Sequence, residues 1–252
     1  MKIKVGCCGS RMSLSKYSKS FKLLEVQRTF YQLPRKEVLS KWRSIVPSEF
    51  EFAVKAWQAV THPPESPTWR KSRVDPYTLG DVGLLKPSPD NFKAWNDVVE
   101  ACRTLRAEIC LIQTPPSFKC VETHIGYVKA FFAKASESGL KLAWEPRGDW
   151  NNKQELVREL CKPHHVIHVV DLLRKSPSYV DRILYTRLHG LNPREYDYKY
   201  QYSEKELEYL LDRLRSYEDA EEAYVLFNNV FMVEDASRFQ TILMRKGLCS
   251  DA

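Results

Sequence analysis

The chain has 252 residues, 43% of them hydrophobic, which is enough to fill one barrel-sized core, and no apolar stretch approaches membrane-spanning length. Its seven cysteines are scattered, odd in number and free of any Cys-x-x-Cys pair, which argues against a secreted disulfide framework, a zinc knuckle and a redox motif. The net charge of +7 suits an anionic partner, although many soluble proteins that bind none carry a similar excess.

The opening MKIKV runs straight into a strand with no signal-peptide core, so a cytoplasmic protein is expected. That first run, KIKVGCCGS, stops at Ser10 and Arg11, and the second, LEVQRTFY, at Thr29 and Tyr31. Pro34 and Pro47 bracket a helix whose Val38, Leu39, Trp42 and Ile45 share one face. The third run, EFEFAVKAW, ends in Lys55, and Trp57 to Pro89 then reads as a long proline-rich loop that would form a lid or wall over the mouth of the fold. Ser88 or Asp90 is placed to cap a helix carrying Phe92, Trp95, Val98, Val99 and Cys102. The fourth run, EICLIQTP, ends in Gln113 and Thr114, and a helix is expected from Val121 to Glu137.

LKLAWEPR, the fifth run, closes with Glu145 and Arg147 ahead of a helix from Asn151 to Cys161. VIHVVD ends in Asp171, and LLRKSPSYVDR after it has room for little more than a turn. ILYTRLHG ends in Arg187 and His189, followed by alternating tyrosines from Tyr196 to Tyr202 and a capping box, Ser203 with Glu206. AYVLFNN ends in Asn228 and Asn229, and a last helix runs from about Val233 to Arg245.

Eight strands alternating with helical segments predict one domain over residues 1–252, a parallel eight-stranded (β/α)8 TIM barrel with a long loop after strand 3 and a short connection after strand 6. Such barrels carry their chemistry at the C-terminal ends of the strands, where the polar residues fall.

VQRTFYQLP, Trp42 to Pro47, FAVKAW with Thr61-His62, LIQTPPSF, WEPRGDW, TRLHG and FNN also carry a family likeness along nearly the whole chain. Together they resemble the family of domains of unknown function number 72, the YecE-like proteins. The resemblance implies a TIM barrel and no particular chemistry. The chain departs from that family at its start, where GCCGSRM replaces a Gly-rich turn followed by an aromatic.

Glu145 and Arg147, two apart at a strand end, emerge on one side of it and suit proton transfer with a cation alongside, or else an internal ion pair closing the mouth. Arg187 and His189 repeat that spacing, as an anion clamp beside a general acid or base, or as a turn-shaping pair. Lys55 is a candidate for a Schiff base, a plain cationic contact or a partner of Glu145. Asp171 completes the catalytic set, and Tyr31, His62, Gln113, Trp150, Asn228 and Asn229 are the remaining candidates for substrate contact. No tight multinuclear zinc site is expected, since His-x-His, His-Glu-x-x-His and dense carboxylate clusters are missing. One loosely held magnesium or manganese ion is compatible with the set. P-loop, dinucleotide and Gly-x-Ser-x-Gly signatures are absent, against NAD, ATP and serine-hydrolase readings.

Two functions remain open. One is a hydrolase, isomerase or lyase for a small anionic or phosphorylated substrate, or a phosphoesterase on nucleic acid, with Glu145 as general acid or base. The other is a non-catalytic protein that binds single-stranded nucleic acid through the basic mouth and the Tyr196 to Tyr202 flap.

Overall fold

The computed structural model describes residues 1–194 and 197–248. Its strands are β1 (Lys2–Cys8), β2 (Leu23–Val26), β3 (Glu51–Lys55), β4 (Ile109–Gln113), β5 (Lys141–Glu145), β6 (Ile167–His168), β7 (Ile183–Leu188) and β8 (Glu222–Phe227). They form one sheet in the order β6-β5-β4-β3-β2-β1-β8-β7. The two end strands of that order meet through the parallel bridge Val170↔Thr186, so the sheet is a nearly closed (β/α)8 TIM barrel. Every residue of β4 is buried, the continuous apolar run expected of a parallel strand covered on both faces.

The helices between them are α1 (Leu14–Tyr17), α2 (Arg28–Tyr31), α3 (Lys36–Ile45), α4 (Gln58–Thr61), α5 (Pro89–Leu105), α6 (Glu122–Ser136), α7 (Gln154–Cys161), α8 (Glu204–Arg215) and α9 (Met232–Arg245). Local chemistry sets several of their ends. The Ser88 hydroxyl accepts from Asn91 N–H at 3.1 Å with Pro89 at the first helical position of α5, and Ser203 with Glu206 closes a reciprocal box at the start of α8. Among the described residues no helix is long and apolar enough to cross a membrane.

Three expectations need correction. The second strand stops at Val26, because the Thr29 hydroxyl bonds back to the Val26 carbonyl at 2.9 Å and turns the chain into α2. The sixth strand is only two residues long, with Val170 touching Thr186 beyond it. The proline-rich stretch after β3 contains α4 and two 3-10 turns, Pro67–Lys71 and Pro76–Thr78. It is tied down by Leu85 N–H to the Val60 carbonyl at 3.0 Å and by the Trp69 indole to the Pro63 carbonyl at 3.0 Å.

Contacts gather into two compact units. The first takes in residues 1–25, 45–51 and the chain from 167 onward, and the second takes in 26–44 and 52–166. In the first, α8 and α9 lay Leu207, Leu210, Leu211, Phe239 and Leu243 into the core, with Phe239 against Phe227 of β8. Lys4 there bridges Glu51 and Glu222, each at 2.8 Å, an ion network at the N-terminal strand ends where barrels carry stability rather than chemistry. The core of the second unit is aromatic, with Trp95 edge-on to Phe131 and Phe132 edge-on to Trp144.

Candidate functional site

In the second unit, β3, β4 and β5 pair in register so that Lys55 lies opposite Leu111, and Gln113 opposite Glu145. Neighbouring parallel strands are about 4.8 Å apart, so Gln113 and Glu145 stand side by side while Lys55 lies level with Leu111, two residues before Gln113. The Lys55 ammonium donates to Gln113 Oε1 at 2.8 Å and sits 4.0 Å above the Phe30 ring, a cation–π contact. The Lys55 backbone is fixed as well, its carbonyl accepting from the Thr29 hydroxyl at 2.8 Å.

Arg147 donates to Glu145 Oε1 at 3.2 Å, and the two side chains are only 12% and 8% exposed, so the pair is largely withdrawn from water. Behind Arg147 the chain turns at Gly148, whose φ of +75° few other residues adopt, and the Asp149 carboxylate takes the Cys120 N–H at 3.1 Å. His62 at the end of α4 is buried, with Nδ1 2.7 Å from the Thr61 hydroxyl and its ring edge-on to Phe30 at 4.9 Å. Burial first, then the charges of Lys55 and Arg147, push its pKa down to about 3, so the imidazole is neutral at ordinary pH.

Two further candidates lie in this unit. Tyr31 is half-buried in α2, with its carbonyl accepting from the Gln58 amide and its ring 5.3 Å from the Lys71 ammonium. Trp150, expected against a substrate, is instead fully buried, stacked on Phe118 at 5.6 Å with its indole N–H on the Phe118 carbonyl. It is a packing residue because no face of it reaches solvent.

In the first unit, Arg187 departs from its expected role as an anion clamp. Its guanidinium is 1% exposed and grips Glu25 through Nη2 to Oε1 at 2.9 Å and Nε to Oε2 at 3.1 Å. The Tyr185 hydroxyl, whose pKa is raised well above normal by burial and then by the Glu25 charge, stays protonated and donates to Glu25 Oε2 at 2.7 Å. Charge and hydrogen bonds are thus spent internally. Glu25 lies within β2 rather than among the polar residues beyond it, and a lone carboxylate within LLEV is the local signal of a buried partner.

Asp171 accepts from the backbone N–H of His189 at 2.9 Å and of Leu173 at 3.1 Å, so it shapes the turns that carry His189. The His189 Nδ1 lies 3.7 Å from Asp171 Oδ2, and the Tyr198 ring lies 5.8 Å away. Asn229 donates to the Tyr200 carbonyl at 2.7 Å and to Asp235 at 2.6 Å, while Asn228 is half-buried with its N–H on the Leu188 carbonyl. The tyrosine flap does not present one open face. Tyr200 donates to Glu206, Tyr202 is buried against Phe227 with its hydroxyl accepting from Gly190 N–H, and Tyr196 lies outside the described residues. Burial also pushes the Cys7 thiol up to about 12, which removes it as a nucleophile. Among the described residues no group of three or more His, Cys, Asp or Glu is placed to hold a metal ion.

Comparison with known proteins agrees with this architecture. The chain is 24% identical over 245 residues to the UPF0759 protein YunF of Bacillus subtilis (strain 168), covering 87% of this chain and 81% of YunF. The crystal structure of the DUF72 family protein EF0366 from Enterococcus faecalis V583 superposes with a TM-score of 0.71 at 21% identity, over 96% of this chain and 98% of that one. The DUF72 family protein TM1631 from Thermotoga maritima MSB8 gives 0.70 at 23% identity, over 97% and 100%. Residues 6–250 match the family described as "Protein of unknown function DUF72", and the chain belongs to that family.

Proposed function

We propose that the second unit is the working part of an enzyme for a small anionic substrate, with Lys55 and Arg147 holding the anion and Glu145 moving a proton. The observation that carries this reading is the Gln113↔Glu145 register, which sets a lysine anchored on Gln113 beside a carboxylate paired to arginine, all nearly buried. In such a dry setting cations bind anions far more strongly than at an exposed surface. A carboxylate held by a cation keeps a defined position from which to take or return a proton. Isomerase or lyase chemistry beside a carbonyl needs one base and cations for the developing oxyanion, which is what these strand ends supply. Phosphoester hydrolysis would use Glu145 to activate water, and no observation in this unit favours it over carbonyl chemistry.

The test is a thermal-shift screen with inorganic phosphate, sugar phosphates, nucleotides and 2-oxo acids on the wild type, Arg147→Ala and Glu145→Gln. A ligand at a hundred times its Kd stabilises by about 2.7 kcal/mol. The expected pattern is stabilisation of the wild type and of Glu145→Gln, with the shift lost in Arg147→Ala and turnover lost in Glu145→Gln. Equal shifts in wild type and Arg147→Ala would remove Arg147 from the anion site, and full turnover by Glu145→Gln would remove Glu145 as the proton-transfer group.

A further inference from the structure

Resting on that reading, we infer that the site takes small anions bearing a carbonyl next to a C–H bond, and that His62 supplies a neutral N–H donor to the carbonyl oxygen. Three features of His62 support this. Its Nδ1 is engaged by the Thr61 hydroxyl at 2.7 Å, and with that hydroxyl as donor the proton of the neutral ring belongs on Nε2. Among the described residues Nε2 makes no hydrogen bond, which leaves its N–H for a ligand. The ring lies T-shaped to Phe30, the same ring that carries the Lys55 ammonium 4.0 Å away, so donor and cation share one aromatic neighbour.

The position is also held firmly. The His62 backbone N–H bonds the Gln58 carbonyl at 2.7 Å, and Gly83, with φ of +88°, passes so near the His62 carbonyl that any side chain there would collide with it. The charged groups facing the imidazole are Lys55 from β3 and Arg147 from the turn after β5, both cations, and both oppose its protonation. A neutral imidazole polarises a carbonyl without surrendering a full proton.

The step balances without a further reagent. Glu145 removes the proton from the carbon next to the carbonyl, and the C–H electron pair becomes the new C=C bond. The former carbonyl oxygen takes the negative charge and is held by the His62 N–H and the Lys55 ammonium. Return of the proton from Glu145 to the same carbon gives exchange; where that carbon bears a hydroxyl, its O–H proton passes to the former carbonyl oxygen while Glu145 returns its proton to the former carbonyl carbon, which gives isomerisation. A carboxylate and a phosphate would both satisfy Arg147, so the probes include each.

Two measurements test the inference. Long-range 15N NMR of the His62 ring, assigned by its loss in His62→Gln, should show the neutral Nε2–H tautomer unchanged from pH 8 to 5. An Nδ1–H tautomer, or a titration midpoint between pH 5 and 7, overturns the assignment. In D2O, the wild type should exchange the C–H protons of 2-oxobutyrate or of dihydroxyacetone phosphate, and which of the two exchanges separates the carboxylate from the phosphate source. His62→Leu should slow exchange about 100-fold with little change in KM, and His62→Gln, which keeps an N–H near the same place, should recover part of it. Anion binding by thermal shift with no exchange of either probe refutes the carbonyl class and leaves the anion site standing. No binding of any anion refutes the proposed function itself.

Discussion

Replacing His168 by Asn should flatten the acid side of the protein's stability curve. His168 is buried in β6, and its Nδ1 accepts the Ser178 backbone N–H at 2.9 Å, with the Ser178 hydroxyl also at 2.9 Å. A proton on Nδ1 would break the backbone bond and put an uncompensated charge in the core. Burial, helped by the Lys175 charge, accordingly pushes the pKa from 6.5 down to about 3. Above pH 6.5 both the folded and unfolded forms are neutral and His168 leaves stability independent of pH. Below it the unfolded chain takes up a proton that the folded one refuses, so stability falls with falling pH until about pH 3. From pH 7.5 to 5 this amounts to about 2 kcal/mol, and His62, with its pKa also about 3, contributes about as much again. Asn in place of His168 presents Oδ1 to the Ser178 N–H but does not titrate, so it should remove about half of that combined loss. The assay is urea unfolding at pH 7.5, 6.5, 5.5 and 5.0, a range above ordinary carboxylate titration, with only the change across pH compared. A pH dependence in His168→Asn equal to that of the wild type would refute the account of a neutral buried imidazole.

Glu25→Gln should lower unfolding stability by about 3–5 kcal/mol, because it leaves the Arg187 charge buried without its carboxylate. Adding Arg187→Met should restore most of that loss in the same denaturant titration, and a double variant as weak as the single one would show that the charge is not the cause. Gly83→Ala should cost more than about 1 kcal/mol, since alanine strains at φ +88° and its methyl meets the His62 carbonyl. Wild-type stability in that variant would mean the loop does not hold α4. Ser203→Ala should cost about 1 kcal/mol by opening the capping box of α8, measured as a shift of the urea midpoint at constant slope.

Much of this molecule is legible before folding is considered. Short β-branched and aromatic runs, helix faces with leucine at three- and four-residue spacing, Ser88 before Pro89, and Ser203 three residues ahead of Glu206 are local signals, because each acts through residues near one another in the chain. They determine the order of strands and helices, and strand-end parity already places Lys55, Gln113, Glu145 and Arg147 as candidates. The limits of that reading are just as physical. The second strand ends early because a threonine hydroxyl reaches back three residues to Val26, which hydrophobic pattern does not encode.

Only the tertiary structure decides which partner each polar strand end meets inside the fold. Arg187 meets Glu25 across 162 positions and Lys55 meets Gln113 across 58, and such pairings depend on strand register and rotamer rather than on neighbours in the chain. Trp150 carries an apolar face and one N–H donor, and whether these meet a ligand or Phe118 is decided by which elements pack together. The neutrality of His62 has the same origin, since desolvation and the approach of two distant cations exist only once the chain has folded.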